Sequence, residues 1–569
     1  MAASLLHSAT RRSLIFSSLL RHSSTKPPPA DPSLCGRISQ DKIVTCPFPD
    51  IPIPETNVFS HVFRNFDKFT GSSPALVDGL SGAEVSYNEM LDVTSRTSSG
   101  LRRLGLQKGD VVTLCSPNSI DYGITFFATM AAGGVVSTCN PTYTASELSY
   151  QINNSGSNFV ATTPSLLPTV LEAIGNLNVK KVLVINEDDN SNRETDNIMS
   201  LKVLKEDSGS LFKEEKVNAK EDLAVLPYSS GTTGLPKGVM LTHYNIVANL
   251  AQITHPEIMY LHEGEPNLGL LPFFHIYGMV VILFHSLFSG GKCVVLPKFE
   301  PESFLSTIQK YRISTANLVP PIILFLSKHP LVEKYDLTSI RSVFSGAAPL
   351  GPDVLKEAKE RTGIKIIRQG YGLTETSPVT HSTLISVGMD YPASIGVPIQ
   401  NQSVKITDLS TGQSLGPQEE GEVCIAGPNV MKGYLNLPDA TSKCITDDGW
   451  FHTGDIGYYD NNGFFYITDR LKELIKVKGL QVAPAELEGV LQHHPKIADA
   501  AVIGVPHERL GEAPRAFVVR RDESLSEEDV MSFVKERLSE HKWLTGGVQF
   551  IQEVPKSASG KILRRNLKK

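Results

Sequence analysis

No two cysteines in this chain are spaced C-x-x-C. The seven stand at positions 35, 46, 115, 139, 293, 424 and 444, an odd number without metal-ligand spacing, which argues against a disulfide framework and a zinc cluster and suits a reducing compartment. A basic surplus is lacking as well. Lys and Arg number 54 against 60 Asp and Glu, a formal net charge of −6, and the signs are interspersed, so no broad basic face offers itself to nucleic acid. Long apolar runs are missing too: stretches such as MVVILFHSLF at 279–288 fall short of the roughly 20 residues a bilayer requires. They read as buried core, and no membrane span is expected.

No acid occurs before Asp31, while Arg11, Arg12, Arg21 and many serines do. That is the composition of an amphipathic organellar transit peptide, and the alternative is an incidental unstructured terminus. Arg and His interrupt its apolar run, which disfavours a secretory signal. The expected address is mitochondrial, with plastid and cytoplasm as alternatives. The C-terminal NLKK lacks the S-K-L address, so a peroxisome is less expected. Residues 1–30 are therefore set aside as a presequence, and the Pro-rich KPPPADP opens a linker and N-terminal arm over 31–54.

What remains is long enough for several folding units. Segments such as DVVTLCSPNS and KKVLVINEDD read as short buried strands separated by helical stretches such as SELSYQINNSG, which predicts an α/β fold with mainly parallel sheets. The charged stretch 186–221 is expected to be a surface excursion. Beyond about residue 400 the texture changes to short strands between Gly and Asp turns, and a compact βαβ-like tail follows a boundary near 470.

Residues 229–238 read SSGTTGLPKG. The stretch is not a Walker loop, because Pro236 precedes Lys237 and Gly238 follows it, so neither the donor N–H nor the magnesium-binding hydroxyl is in place. A Gly/Ser/Thr loop remains, in which Ser229, Ser230, Gly231, Thr232, Thr233 and Gly234 could close over phosphate oxygens with Lys237 supplying charge; the bland reading is a flexible turn. In QGYGLTET (369–376) a glycine turn stands beside Thr374 and Glu375, where a hydroxyl suits a phosphate and a carboxylate suits Mg²⁺. FHTGD sets Asp455 at a Gly turn, and Arg470 follows fifteen residues later; a carboxylate suits paired ribose hydroxyls. PKSASGKILRR places Lys561 in a glycine-flanked turn near the terminus. Taken singly, each of these is as readily a surface charge.

Together they are not. SSGTTGLPKGV, GYGLTET, GWFHTGD, DRLKELIKVKG, APAELE and PKSASGKILRR occur in the order found in the adenylate-forming superfamily of acyl-CoA synthetases, nonribosomal-peptide adenylation domains and luciferases, and the resemblance covers roughly residues 55–569. LPFFHIYG, SGAAPLG and LKELIKVKGLQVAPAELE look most like 4-coumarate–CoA ligases and their ligase-like relatives. The resemblance implies a large N-terminal domain (55–470) of βα subdomains plus a distorted β-barrel, followed by a small mobile α+β lid domain (471–569). It implies ATP, Mg²⁺ and coenzyme A as cofactors, a small carboxylic acid as substrate, and a monomer or weak dimer.

Residue by residue, the resemblance implies that the Ser229–Gly234 loop and Lys237 wrap the phosphates and that Glu375 holds the metal beside Thr374. Gly346, Ala347, Ala348, Gln369, Gly370, Tyr371 and Gly372 would receive adenine, and Asp455 and Arg470 the ribose. Lys561 would bridge carboxylate and phosphate during adenylation. The lid would then turn about Lys472, withdrawing Lys561 and bringing Lys476, Lys478 and Gly479 to the CoA tunnel, with His275 as a gate. The acyl pocket would be lined by Ile276, Tyr277, Val281, Phe344, Gly346, Gly370, Gly372, Pro378 and Val379. Phe344 and Val281 depart from the plant enzymes toward bulk, so a pocket narrower than a methoxylated cinnamate needs is expected. 4-Coumarate, another aryl acid and a medium-chain fatty acid all remain open. A luciferase-type oxygenase is disfavoured because PFFHIYG lacks the second histidine of PFHHGF. A noncatalytic binding protein would have no use for Thr374, Glu375, Asp455, Arg470 and Lys561 together.

Overall fold

The computed structural model describes residues 31–186, 197–229, 235–471, 473–477, 480–507, 509–538, 540–557 and 560–568. Residues 1–30, expected as a presequence, and Ser230, Gly231, Thr232, Thr233, Gly234, Lys472, Lys478 and Gly479 lie outside them.

Alternation of strands and helices along the chain produces two mainly parallel sheets, as βα crossovers demand. In the first, Leu223–Val225, Val135–Cys139, Val111–Cys115, Ser157–Thr162, Lys181–Val184 and Ile198–Ser200 lie side by side in parallel. Lys237–Thr242 closes one edge antiparallel. In the second, Pro74–Asp78, Lys292–Val295, Pro266–Gly269, Thr315–Leu318, Ser342–Ser345 and Ile366–Gly372 run parallel. Helix ends follow local chemistry. The expected helix in SELSYQINNSG is Ala145–Ser155, started by a reciprocal Thr144/Glu147 capping box and stopped by Gly156 at φ 66.

The apolar run at 279–288 is core, as expected. It is wound as a π-helix over Tyr277–Phe284 and continues as an α-helix over His285–Phe288. All its side chains are buried, each contributing about 1.5–3 kcal/mol where large and apolar. Among the described residues no helix is long and apolar enough to cross a membrane.

A third sheet is antiparallel: Arg37–Ile38, Val44–Thr45, Ser403–Thr407, Gly421–Ala426, Phe451–Tyr459 and Phe465–Arg470, around a small core of Val44, Val404, Ile406, Val423, Ile425, Tyr459 and Phe465. Part of the 31–54 arm, expected as a linker, is thus two strands of this sheet. The carboxy-terminal part builds a fourth sheet on the long hairpin Ile497–His507/Gly511–Arg520. Helix Glu527–Lys535 crosses from Gly511–Arg520 to the parallel strand Val548–Phe550, the βαβ-like feature read from the tail. Its core of Ile475, Leu487, Leu491, Val502, Val518, Val530 and Val534 is separate from the others.

The surface excursion expected at 186–221 is only partly one. Ile198–Ser200 joins the first sheet, and Leu201–Lys205 is a short helix that buries Leu201 and Leu204. Only two apolar residues, three apart, carry this contact, too few for a periodic signal among so many charges. They seat on helix Tyr87–Arg103 at Gly100, where a side-chain carbon would come within 2.8 Å of Leu204. Leu204→Ala is therefore expected to destabilise the large domain by about 2–5 kcal/mol. Val203→Ala, at a residue 42% exposed on the same helix, should stay within about 0.5 kcal/mol. Urea unfolding followed by circular dichroism checks both, and equal midpoints would show the packing to be incidental.

Candidate functional site

The carboxyl ends of the parallel strands in both large sheets open toward one cavity of about 1510 Å³, where open α/β sheets place ligands. Thr138 and Asn140 reach it from the first sheet, and Gly346, Gly370, Tyr371 and Gly372 from the second. Asp455 and Arg470 come from the antiparallel sheet, and Lys556, Ser557, Lys561 and Arg564 from the carboxy-terminal domain. The two large sheets, the antiparallel sheet and the carboxy-terminal domain thus share one site.

Asp455 and Arg470, fifteen residues apart in the chain, face each other across adjacent strands. Arg470 Nε lies 2.8 Å from Asp455 Oδ1, and the Tyr371 hydroxyl donates to Asp455 Oδ2 at 2.5 Å. Burial pushes the Asp455 carboxyl above the ordinary range, while Arg470 and Tyr371 pull it back. Lys561 completes this group. Burial and the nearby Arg470 cation bring its ammonium down to about 8, against the pull of Glu473, Asp455 and Glu375. Its turn is held by Ser557, whose N–H donates to the Lys561 carbonyl and whose Oγ accepts from the Lys561 N–H.

Glu375 sits in the short helical turn Thr374–Thr376. Its Oε1 accepts from the Tyr434 hydroxyl at 2.9 Å and from Ser229 Oγ at 3.1 Å. Lys237 stands 4.7 Å over the Tyr434 ring, so carboxylate, phenol and ammonium form one polar wall. Behind the 453–455 turn, Glu422 accepts from the Gly454 N–H at 2.9 Å and pairs with His452 Nδ1 at 2.8 Å, which holds Asp455 in place. None of Tyr434, Glu422 and His452 stands out in the sequence as a site residue. Tyr434 is there because Gly433–Tyr434 pairs with Lys237–Thr242, a contact between segments some two hundred residues apart.

Ile276, Tyr277, Phe344, Gly346, Gly370, Gly372, Pro378 and Val379 line one arm of the cavity. The glycines there are a matter of space. A methyl carbon on Gly370 would lie 2.1 Å from the end of the Phe344 ring, and one on Gly346 would lie 2.9 Å from the Tyr277 ring. His275 faces the cavity, and its imidazole is brought down to about 4 by burial and by Lys561, so it is neutral near pH 7.

Among the described residues, four expected ones do not line the cavity. Val281 is fully buried outside it. The Tyr277 hydroxyl donates to the Phe344 carbonyl at 2.9 Å, and those two residues wall the arm a helical turn ahead of Val281, so Phe344 alone supplies the expected crowding. Gln369 is spent as a brace, with Nε2 donating to Pro392 O and Oε1 accepting from Leu350 N. Ala348 follows Gly346 and Ala347 around the turn and leaves the lining to them. Lys476 is exposed on Ile475–Val477, its N–H bonded to Glu512, away from the cavity that Lys561 enters.

Comparison with known proteins agrees with this arrangement. The AMP-binding enzyme family model matches residues 63–435, and the model of the AMP-binding enzyme C-terminal domain matches 486–561. A probable 4-coumarate–CoA ligase 1 of Dictyostelium discoideum is 41% identical over 92% of this chain and 97% of its own length. The 4-coumarate–CoA ligase of Pinus taeda is 40% identical over 91% and 96%. Among solved structures, ATP-bound MatB from Rhodopseudomonas palustris superposes with TM-score 0.80 at 28% identity, covering 90% of this chain and 98% of that one. The o-succinylbenzoate CoA synthetase MenE of Bacillus subtilis, in complex with its acyl-adenylate intermediate, gives 0.76 at 27% identity over 90% and 98%. With a cavity built by two large sheets and roofed by a separately folded domain that inserts Lys561, this chain belongs to the AMP-binding enzyme family.

Proposed function

We propose that this protein is an ATP-dependent carboxylate–CoA ligase acting on 4-coumarate or a related aryl acid, with a medium-chain fatty acid as the alternative. The observation that carries the reading is the convergence of Lys561, Arg470, Asp455 and Glu375 on one cavity that also holds an apolar arm. In the first step a carboxylate oxygen attacks the α-phosphorus of ATP, the bond to the β-phosphate bridging oxygen breaks, and pyrophosphate leaves. In the second the CoA thiolate attacks the acyl carbonyl carbon and AMP leaves.

Two anions must meet in the first step, so positive charge fixed in advance lowers the barrier more than any acid or base could. In this reading Lys561 bridges carboxylate and phosphate, Lys237 and Ser229 hold the outer phosphates, and Asp455 takes the ribose hydroxyls. Glu375 fits a magnesium ion, since its carboxylate is oriented by Tyr434 and Ser229 and such ions are held by one or two carboxylates plus substrate phosphates; the ion would neutralise phosphate charge. For the second step we propose rotation of the carboxy-terminal domain about Lys472, which exchanges Lys561 for the strand carrying Lys476. The exposure of Lys476 while the half-buried Lys561 lines the cavity supports that exchange. His275, between the apolar arm and the lid, is proposed as the gate.

Lys561→Ala should lower adenylation, read as acid-dependent pyrophosphate release, by about 10²–10³, while the variant still converts supplied acyl-adenylate and CoA to thioester. Lys476→Ala should do the reverse. Because Lys561 must be charged to bridge two anions and titrates near 8 rather than at the ordinary 10.5, adenylation kcat/KM should fall as pH rises through about 8. Lys561→Arg, whose guanidinium keeps its proton, should move that fall upward. Equal loss of both half-reactions in the two alanine variants would reject the exchange.

Phe344 should make the arm prefer 4-coumarate or a medium-chain acid over sinapate, and Phe344→Ala should narrow that gap. A kcat/KM panel decides this, and a wild-type preference for sinapate would reject it. We further propose a mitochondrial address. A fluorescent fusion of residues 1–40 should be imported and should lose import when Arg11, Arg12 and Arg21 become Glu; cytosolic fluorescence of the unaltered fusion would count against it.

A further inference from the structure

Strands at the centre of a parallel sheet are normally apolar on both faces. One face of the second sheet breaks that rule. Thr315 and Asn317 alternate on Thr315–Leu318, with Asn267 in register beside Thr315 and Arg368 in register beside Phe344. These residues line a second cavity of about 200 Å³. Phe344 lines both this chamber and the acyl arm of the main cavity, so a single ring separates the two.

The chamber walls are largely apolar, with Met259, Leu261, Ile366 and Ile385 among them, and several of the polar groups set into them are under-bonded. Asn267 Oδ1, Thr315 Oγ1, His285 Nε2 and Arg368 Nε are buried without hydrogen-bond partners. Arg368 is 3% exposed. Its Nη1 donates to the Thr383 carbonyl at 2.8 Å, and among the described residues no carboxylate lies within ion-pair distance of it. What accompanies the guanidinium is the Phe344 ring, 5.4 Å from its central carbon. Glu257 acts on the guanidinium only as a charge beyond ion-pair distance. A buried cation with no directly bonded counter-charge is costly, and the edge of a guanidinium that includes Nε is one a carboxylate occupies with two parallel bonds.

We propose that Arg368 is a specificity-determining residue, receiving a carboxylate at the far end of an aryl or alkyl acid that passes the Phe344 ring into the chamber. This rests on the ligase reading above and adds to its substrate class acids with a second, distal anionic group. A neutral acid of the same length would leave the guanidinium unpaired, which is the way a polar site discriminates most strongly.

The test compares 4-carboxycinnamate with 4-methylcinnamate, matched in length and planarity, by acid-dependent pyrophosphate release. The readout is the ratio of their kcat/KM values in wild type, Phe344→Ala, Phe344→Ala/Arg368→Met and Phe344→Ala/Arg368→Lys. Opening the partition with Phe344→Ala should raise the ratio about tenfold or more. Arg368→Met should abolish that gain and Arg368→Lys should restore part of it. A ratio unmoved by Phe344→Ala overturns the proposal without needing any Arg368 variant to fold. A gain that survives Arg368→Met overturns it too. Either result together with activity on 4-coumarate leaves the ligase reading standing, whereas no acid-dependent pyrophosphate release from any acid overturns both.

Discussion

The buried Asp455 carboxylate is the group around which the cavity is arranged. It is 3% exposed, and a bare carboxylate at that depth would be driven to its neutral form. Arg470 on the neighbouring strand and the Tyr371 hydroxyl from the second sheet supply the compensation, which ties the antiparallel sheet to the glycine turn of the parallel one. Arg470 in turn lowers the Lys561 ammonium, so the same pair that steadies Asp455 makes the lid's lysine sensitive to what else enters the cavity. An arriving anion would relieve that repulsion, which couples lid closure to occupancy through charge alone.

Ion pairs brace the lid internally, and an exposed pair touches the large domain. Arg564 pairs with Glu488 at 2.9 Å and with Glu473 at 3.3 Å, and burial raises both Glu488 and the nearby Asp469 to about 7. His493 reaches Asp353 of the large domain at 2.9 Å, exposed on both sides, and such surface pairs contribute little. The carboxy-terminal domain has its own core, so it can move as a body without unpacking the large one. The proposed delivery and withdrawal of one lysine would need that independence.

The motif-bearing parts were legible because their local chemistry is tied to local shape. The turn at 453–455 and the strand ending at Arg470 can be read as a hairpin, and their cross-strand meeting follows from the turn between them. The parallel class followed from alternation of short apolar runs and helices. Less legible were contacts made by one or two residues. Leu201 and Leu204 hide among charges, the arm strands at 37–45 are too short for periodicity, and Gln369 was read by position although its amide is consumed in bracing the 346–350 turn.

Composition and motif order by themselves determined the fold class, the two-part organisation, the absence of a long apolar span and most of the residues that surround the cavity, because each depends on chemistry written within a few neighbouring positions. Tertiary structure alone decided that Tyr434 and Glu422 belong to the site, that Val281 does not, and that a chamber holding Arg368 lies one ring beyond the acyl arm. Those facts arise where strands distant in sequence are brought into register, and whether a side chain such as Arg368 finds a partner depends on what the neighbouring strands put beside it.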